Sequence, residues 1–407
     1  MTMELSGDLL LDPAVVDDPY PFYRELQARA PVWEIPGTGI FTVATAALVT
    51  EATGRTEDFS SNLKCLLYRD DAGQPRRLDF GDAASQALAS ADPPMHTLHR
   101  AAVFPELVAK RMAALEPDIA GLADKCVTRA LDSGGTAEFM TAIGNVVPIT
   151  ITSRLIGFHD ADVDQLLSAA FDSTALVGGA LTFDELMPLI TRSGEIQAWI
   201  AEQVTAAKQD PGTDILGTVA NAVNSGVFGD LEASSILLIL LSAGGESTTS
   251  LLGNAVRILA ERPELQAHLR GNPGRIPRFV EEVLRLESPF RYQMRSVPKD
   301  TTLGGVSIPA DSAVLLLFGA ANRDATEFSQ PDELDLERDQ PRQHLAFGRG
   351  IHYCVGAVLA RVEARIVLSV LLDRTTSITL DPEHEPRWVQ SLIVRRHEEL
   401  PLQLVGR

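Results

Sequence analysis

Apolar residues recur at helical spacing along most of the chain, and proline and glycine supply the breaks. Pro19-Tyr20-Pro21 precedes a helix expected over 22–29, and Pro94 sits in the first turn of another expected over 95–108. Amphipathic runs follow at 107–131 and 162–176. The longest run starts at Asp230 or Leu231 and reaches Arg262, where Pro263 forbids continuation. About 32 residues at 1.5 Å each make a helix of roughly 48 Å, which must cross the middle of a large domain. A further helix is expected over 275–286, after Pro273-Gly274. Val/Ile-rich pieces at 303–318, punctuated by Gly304-Gly305 and Pro309-Ala310-Asp311, read as short strands. Residues 345–356 are glycine-rich and irregular, and a last long helix is expected over about 354–373. No internal repeat or low-complexity linker interrupts the pattern. It predicts a mainly α protein with small β-sheets, a single large domain over 1–407, and a loosely ordered start at roughly 1–12.

Composition narrows the class of partner. Asp plus Glu number 55 against 35 Lys plus Arg, a net charge of -20, which repels phosphate backbones and makes nucleic acid a poor partner. With 45% apolar and 22% charged residues the chain is expected to bury an ordinary globular core. Cys65, Cys126 and Cys354 are sparse and odd in number, as for reduced thiols in a cytoplasmic protein. The start of the chain lacks a basic segment followed by an apolar run, and the most apolar stretch, 236–241, is too short to span a bilayer. A soluble protein without a membrane span is expected.

The densest chemistry lies in Phe347-Gly348-Arg349-Gly350-Ile351-His352-Tyr353-Cys354-Val355-Gly356. Its three glycines allow positive φ and close approach to something flat or bulky. Cys354 precedes an amphipathic helix, whose free N–H groups and dipole favour a thiolate. Such a thiolate is a nucleophile or a metal ligand. His352 is the one nearby base, and at i, i+2 in a tight loop the two side chains tend to diverge. Zinc wants about four ligands, and no CxxC accompanies this cysteine. A buried structural cysteine leaves the glycines and basic neighbours without a role.

At these spacings Phe347, Gly350, His352, Cys354 and Gly356 resemble the haem-ligand loop of the cytochrome P450 superfamily, in which a Cys thiolate is the axial ligand. Other segments resemble that family in the same order along the chain. Glu282-Val283-Leu284-Arg285 is similar to its ExxR pair, with Arg338 as the downstream partner. Ala321-Asn322-Arg323-Asp324, with Phe328 and Pro331, resembles the approach to the haem loop. The run from Asp92 to Arg100 resembles its propionate-binding helix, and Asp18 to Tyr23 its N-terminal entry. Ala243-Gly244-Gly245-Glu246-Ser247-Thr248 resembles the oxygen-activating stretch of the long helix, which would lie over the haem. The likeness covers about 12–405.

The resemblance implies a haem b cofactor with Cys354 on iron and Phe347, Gly348, His352, Gly356, Ala243 and Gly244 around it. His96 and Arg100, at i, i+4 on one helical face, would meet a propionate, with Arg295 and His344 at the other contacts. His99 is expected to be a solvated neighbour. Glu246, Ser247 and Thr248 would handle protons, and Glu282, Arg285 and Arg338 would be structural. Where the family has an acid followed by Thr, this chain has Glu246 followed by Ser247, without the methyl that fixes χ1. Gly244-Gly245 are expected to widen or kink the helix.

Leu240, Phe290, Tyr292, Gln293 and Leu392, with the 62–88 and 170–187 segments, are expected to line a lipophilic substrate pocket. Arg291 reads as a surface ion pair. Arg342, Arg349, Arg361 and Arg365 form a basic cluster that would suit an acidic ferredoxin-type donor, itself supplied by a reductase. The reaction expected is insertion of one oxygen atom from O2 into a lipophilic small molecule. The rival readings are a peroxide-dependent or isomerising haem-thiolate enzyme and a haem-binding sensor.

Overall fold

The structure, a computed structural model, describes residues 4–81, 86–159 and 161–407. Residues 1–3 of the expected loose start and 82–85 of the expected pocket loop therefore lie outside the described residues. The fold is mainly α with small sheets, a single large domain built around the helix Asp230–Glu261. That helix begins where Glu232 accepts the Gly229 N–H and ends one residue before Arg262-Pro263, as the sequence demands. It is long and apolar enough to cross a membrane, but two thirds of its most apolar window (67%) is buried against the rest of the protein. Helices Val146–Ile156, Val163–Ala175, Phe183–Ala207 and Ala357–Arg374 pack around it.

The central helix runs without interruption through Gly244 and Gly245. A Cβ at Gly244 would come within 2.9 Å of the Thr152 side chain, and one at Gly245 within 2.9 Å of Ile149. The pair lets helix Val146–Ile156 seat directly against the central helix. Most predicted helices appear with shifted ends. The 95–108 segment is helical over Met95–Val103 and then tightens into a 3₁₀ turn, Phe104–Leu107. The 107–131 run divides into Ala109–Ala114 and Glu116–Asp132, with Pro117 in the first turn of the second. The last helix spans Ala357–Arg374, leaving Cys354 in the loop before it.

The largest sheet orders Val32–Ile35, Ile40–Val43, Ala313–Leu316 and Gln293–Ser296, with the middle pair parallel and the outer pairings antiparallel. Strands Thr375–Leu380, Pro401–Gly406 and Thr136–Glu138 form a second sheet. The 62–88 segment contains an antiparallel hairpin, Cys65–Arg69 with Pro75–Asp79. From Gly7 onward the chain packs against the fold. Helices Gly7–Leu10 and Pro13–Asp17 bury Leu10 and Val16, and Leu11 between them is buried too.

Glu282 and Arg285, one helical turn apart on Ile276–Leu286, are fully buried and joined by two hydrogen bonds of 2.9 and 3.0 Å. Arg338 adds a third at 2.9 Å, and the Asp335 N–H a fourth. The remaining Arg285 donors reach the carbonyls of Asn322, Pro331 and Glu333. Asn322 in turn accepts the Leu345 N–H at 2.6 Å, two residues before the cysteine loop begins. Glu282→Ala leaves two guanidinium groups buried without their carboxylate, and should destabilise by about 3–5 kcal/mol. Thermal unfolding should read this together with a fall in haem bound per chain; wild-type values of both would remove the network from its supporting role.

Candidate active site

The loop from Phe347 to Gly356 is shaped by two glycines. Gly348 and Gly350 have φ of +66° and +72°, and a Cβ at Gly350 would sit 3.1 Å from the Thr53 carbonyl oxygen. The Cys354 N–H closes the loop onto the Phe347 carbonyl at 2.9 Å. Burial pushes the Cys354 thiol up, while the Gly356 and Ala357 N–H groups and the charges of Arg100 and Arg361 favour the thiolate. Its side chain faces an internal cavity, whereas Cys65 and Cys126 are buried in the core. Among the described residues no three His, Cys, Asp or Glu side chains converge on one point, so a multi-ligand zinc centre is not formed.

That cavity spans about 1490 Å³, including its opening to solvent. The cysteine loop makes one wall, with Phe347, Gly348, His352, Cys354 and Gly356. The central helix makes the other, with Leu240, Ala243, Gly244, Ser247 and Thr248. Ser247 Oγ donates to the Ala243 carbonyl at 2.5 Å, which orients the hydroxyl along the helix. Phe290 and Gln293 complete the predicted lining that the structure brings together.

His96, Arg100, Arg295 and His352 also line the cavity. Neither guanidinium has an ion-pair partner among the described residues. Arg295 is buried, and desolvation lowers it to about 10. The His96 and His352 rings lie 4.2 Å apart. Burial and then the nearby Arg295 bring His352 down to about 3, so it stands neutral as a donor or acceptor, 2.9 Å from Ser61 Oγ. Two desolvated cations without counter-ions call for an anionic group in the cavity.

Several predicted positions are corrected. His344 does not reach the cavity: its Nε2 is 3.0 Å from Glu281 and its Nδ1 accepts the Ala346 N–H, so both ring nitrogens are committed. Tyr292 is buried with its hydroxyl on the Val177 carbonyl, and Leu392 packs in the same apolar cluster, so neither lines the cavity. His99 is not solvated but fully buried, accepting the Leu88 N–H. Arg291 is no surface residue; it is buried and donates to the carbonyls of Val16 and Ser391. Of the described residues in 62–88 and 170–187, only Leu88 touches the cavity. Thr152, Leu155, Ile156 and Ile215 take that place, and nothing in their local sequence separates them from other core positions.

Glu246 faces away from Ser247. It lines a second, separate cavity, pairs with Arg396 at 2.9 Å and bonds the Thr174 hydroxyl. The basic cluster is largely consumed as well. Arg361 pairs with Glu281 at 2.7 Å and lies over the Phe347 ring, Arg342 also meets Glu281, and Arg365 meets Glu116. Arg349 is left exposed, with no ion pair among the described residues.

A thiolate donor facing hydroxyls across a large cavity, a glycine-shaped loop beneath, and unpaired guanidinium groups at the edge fit one kind of group, a flat metal-bearing macrocycle with acidic substituents. Fold and site together define a haem-thiolate protein. The family model for cytochrome P450 matches residues 276–399. Cytochrome P450 144 of Mycobacterium tuberculosis is 40% identical over 404 residues, covering 99% of this chain and 92% of that protein. Mycinamicin IV hydroxylase/epoxidase of Micromonospora griseorubida is 34% identical over 325 residues, 77% of this chain and 79% of that one. The crystal structure of CYP109E1 from Bacillus megaterium in complex with testosterone superposes with a TM-score of 0.85 at 26% identity, over 96% of this chain and 99% of that one. The chain belongs to the cytochrome P450 family, a class of haem-thiolate monooxygenases.

Two outcomes test this geometry. Cys354→Ala should abolish the strongly red-shifted Soret band of the ferrous carbon monoxide complex that thiolate ligation gives, whereas Cys65→Ser and Cys126→Ser should keep it. Glu281 supplies a pH signature. Burial alone would raise its carboxyl, but hydrogen bonds from His344 and Arg361 outweigh that and hold it at about 2, against an ordinary 4.5. A depressed carboxyl stabilises fully above its unfolded value and loses that contribution as pH falls. Glu281→Gln should therefore flatten the decline of stability between pH 4.5 and 2; unfolding midpoints across that range should differ in slope from wild type.

Proposed function

We propose that this chain uses O2, haem b and electrons from a ferredoxin-type donor and its reductase to insert one oxygen atom into a lipophilic small molecule. Thiolate-bound haem supplies the oxygen-activating chemistry; the protein's own residues position it and move protons. Cys354 would ligate iron, and Phe347, Gly348, Gly356, Ala243 and Gly244 would flank the ring. Arg100, Arg295, His96 and His352 would take the acidic substituents, which fits a buried Arg295 and a half-buried Arg100 that have no carboxylate partner among the described residues.

The observation that carries the reading is Cys354 facing Ser247 and Thr248 across one cavity that also holds Arg100 and Arg295 without carboxylate partners among the described residues. Glu246 adjoins Ser247 in the chain but lies on the other side of the helix, so proton transfer from it to the cavity needs water or a turn of its side chain between them. Burial raises the Glu246 carboxyl despite Arg396, which brings it nearer the range where it exchanges protons at neutral pH. A lipophilic substrate is supported by the apolar Leu240, Phe290, Leu155 and Ile156, with Gln293 as a polar point. The relative named mycinamicin IV hydroxylase/epoxidase and the structure solved with testosterone point the same way. For the electron donor, Arg349 and Ile351 are exposed in the cysteine loop and Val358 at the start of the helix after it, with Arg349 also reaching the cavity lining.

With a ferredoxin system and a turned-over substrate, Glu246→Gln should slow oxygen consumption, by up to the roughly 10²–10⁴-fold that a positioned proton donor contributes. Ser247→Ala should keep electron flow but release peroxide, and Ser247→Thr should couple as well as wild type or better, its methyl restricting χ1. The quantities to measure are product formed and peroxide released per electron pair. Undiminished coupling in Ser247→Ala would move the role to Thr248. Turnover with peroxide alone, and none with O2 and reductant, would replace the reading by the peroxide-dependent one.

A further inference from the structure

Glu246 and Arg396 lie on a cavity of their own. It spans about 510 Å³, its opening to solvent included, and shares no lining residue with the cysteine cavity. Its walls come from the end of helix Val163–Ala175, the connection after it, and the segment from Val389 to Arg396. Three charged groups face it. Asp172 is taken by Arg192 in a pair of hydrogen bonds at 2.6 and 2.9 Å, which leaves Glu246 and Arg396 to each other.

Arg396 is more than nine-tenths buried yet incompletely used. Its Nε donates to Glu246 Oε1 at 2.9 Å and its Nη1 reaches the His397 carbonyl at 3.4 Å. Nη2 has no acceptor among the described residues. The guanidinium carbon stands 3.8 Å from the centroid of the Phe171 ring, so its plane is braced by an aromatic face. Thr174, whose hydroxyl donates to Glu246, and Gln390, whose amide donates to Asp17 at 2.6 Å, are also in the lining. A planar fork of donors on an aromatic support matches a carboxylate in two-point contact. A phosphate dianion would bring two charges to one cation. The remaining lining, Ala175, Ala180, Leu181, Val389 and Val394, is apolar and suits an alkyl chain or small ring.

We propose that this second cavity binds an apolar molecule bearing a carboxylate, which replaces Glu246 on the Arg396 guanidinium. The exchange has a balance to keep. One cation cannot neutralise two carboxylates, so Glu246, already raised by burial, takes up a proton as the ligand anion enters. The site is distinct from the substrate cavity, and its occupant need not be oxidised.

Decanoate is the probe, titrated calorimetrically into the haem-loaded protein. It should bind, with about one proton taken up per molecule when two buffers of different ionisation enthalpy are compared near neutral pH. Glu246→Gln removes the competing anion, so it should tighten decanoate about tenfold or more and abolish the proton uptake. Arg396→Gln should weaken it at least about tenfold, as should replacing decanoate by decanol. Imidazole, which ligates the iron, should bind with the same spectral titration whether or not decanoate is present. Should Arg396→Gln misfold with Glu246 unpaired, Glu246→Gln/Arg396→Gln carries the same comparison with both charges removed. Competition between decanoate and imidazole would place the probe in the cysteine cavity and overturn the proposal. Equal affinity in the Arg396 variants would overturn it as simple apolar partitioning, and absence of calorimetric binding at millimolar decanoate would do the same. None of these results depends on whether the protein turns over with O2.

Discussion

The cost of leaving Arg285 uncompensated organises the half of the molecule that holds the site. A guanidinium buried this deeply must have every donor matched. Glu282 supplies the charge, and three backbone carbonyls from the 322–333 segment supply the rest. Those carbonyls belong to a stretch with almost no regular structure, which has few hydrogen bonds of its own to define it. The network thus does for an irregular segment what a ladder does for a strand. Through Asn322 and Leu345 it fixes where the cysteine loop starts. From there the positive-φ glycines and the Cys354 N–H set where the sulfur ends up.

A second buried hub stabilises the opposite side. Glu287 accepts from Tyr20 and pairs with Arg257, Arg323 and Arg395; burial alone would raise it, but these cations hold it at about 2. It binds the start of the chain to the C-terminal segment. Many of the chain's cations are therefore spent inside, Arg285, Arg291, Arg295, Arg338, Arg395 and Arg396 among them. Buried carboxyls such as Glu246, Glu281, Glu282, Glu287 and Glu363 offset them, so the exterior carries nearly the whole net charge of -20. An acidic partner is then repelled almost everywhere and can approach only where a local patch such as that at Arg349 stands out.

What could be read from sequence followed the range of the interactions involved. The central helix, its proline stop and the cysteine loop depend on neighbours a few residues away, and their placement agreed with the structure to within a few residues. Helix ends moved because capping and packing, not periodicity, decide them: Pro117 split one run, and the last helix waited until Ala357. The side chains that were misplaced share one property, a partner distant in sequence. His344 was set beside the cavity but answers to Glu281, 63 residues earlier. Tyr292 answers to Val177, and Arg291 to Val16, 275 residues away. No local pattern encodes such pairings. What Gly244-Gly245 serve is likewise distant in sequence, helix Val146–Ile156 pressed against them.

Successive residues on a helix point about 100° apart. Glu246 and Ser247 are successive, so the central helix acts as a partition with one of them on each side. Filling the compartment that Ser247 faces leaves the one behind Glu246 untouched. A bulky, greasy occupant could thus dry out the chamber above the cysteine without displacing anything from the one behind Glu246. What fills the first chamber is thereby decoupled from the charges that line the second, and either can drift over evolutionary time while the other stays put.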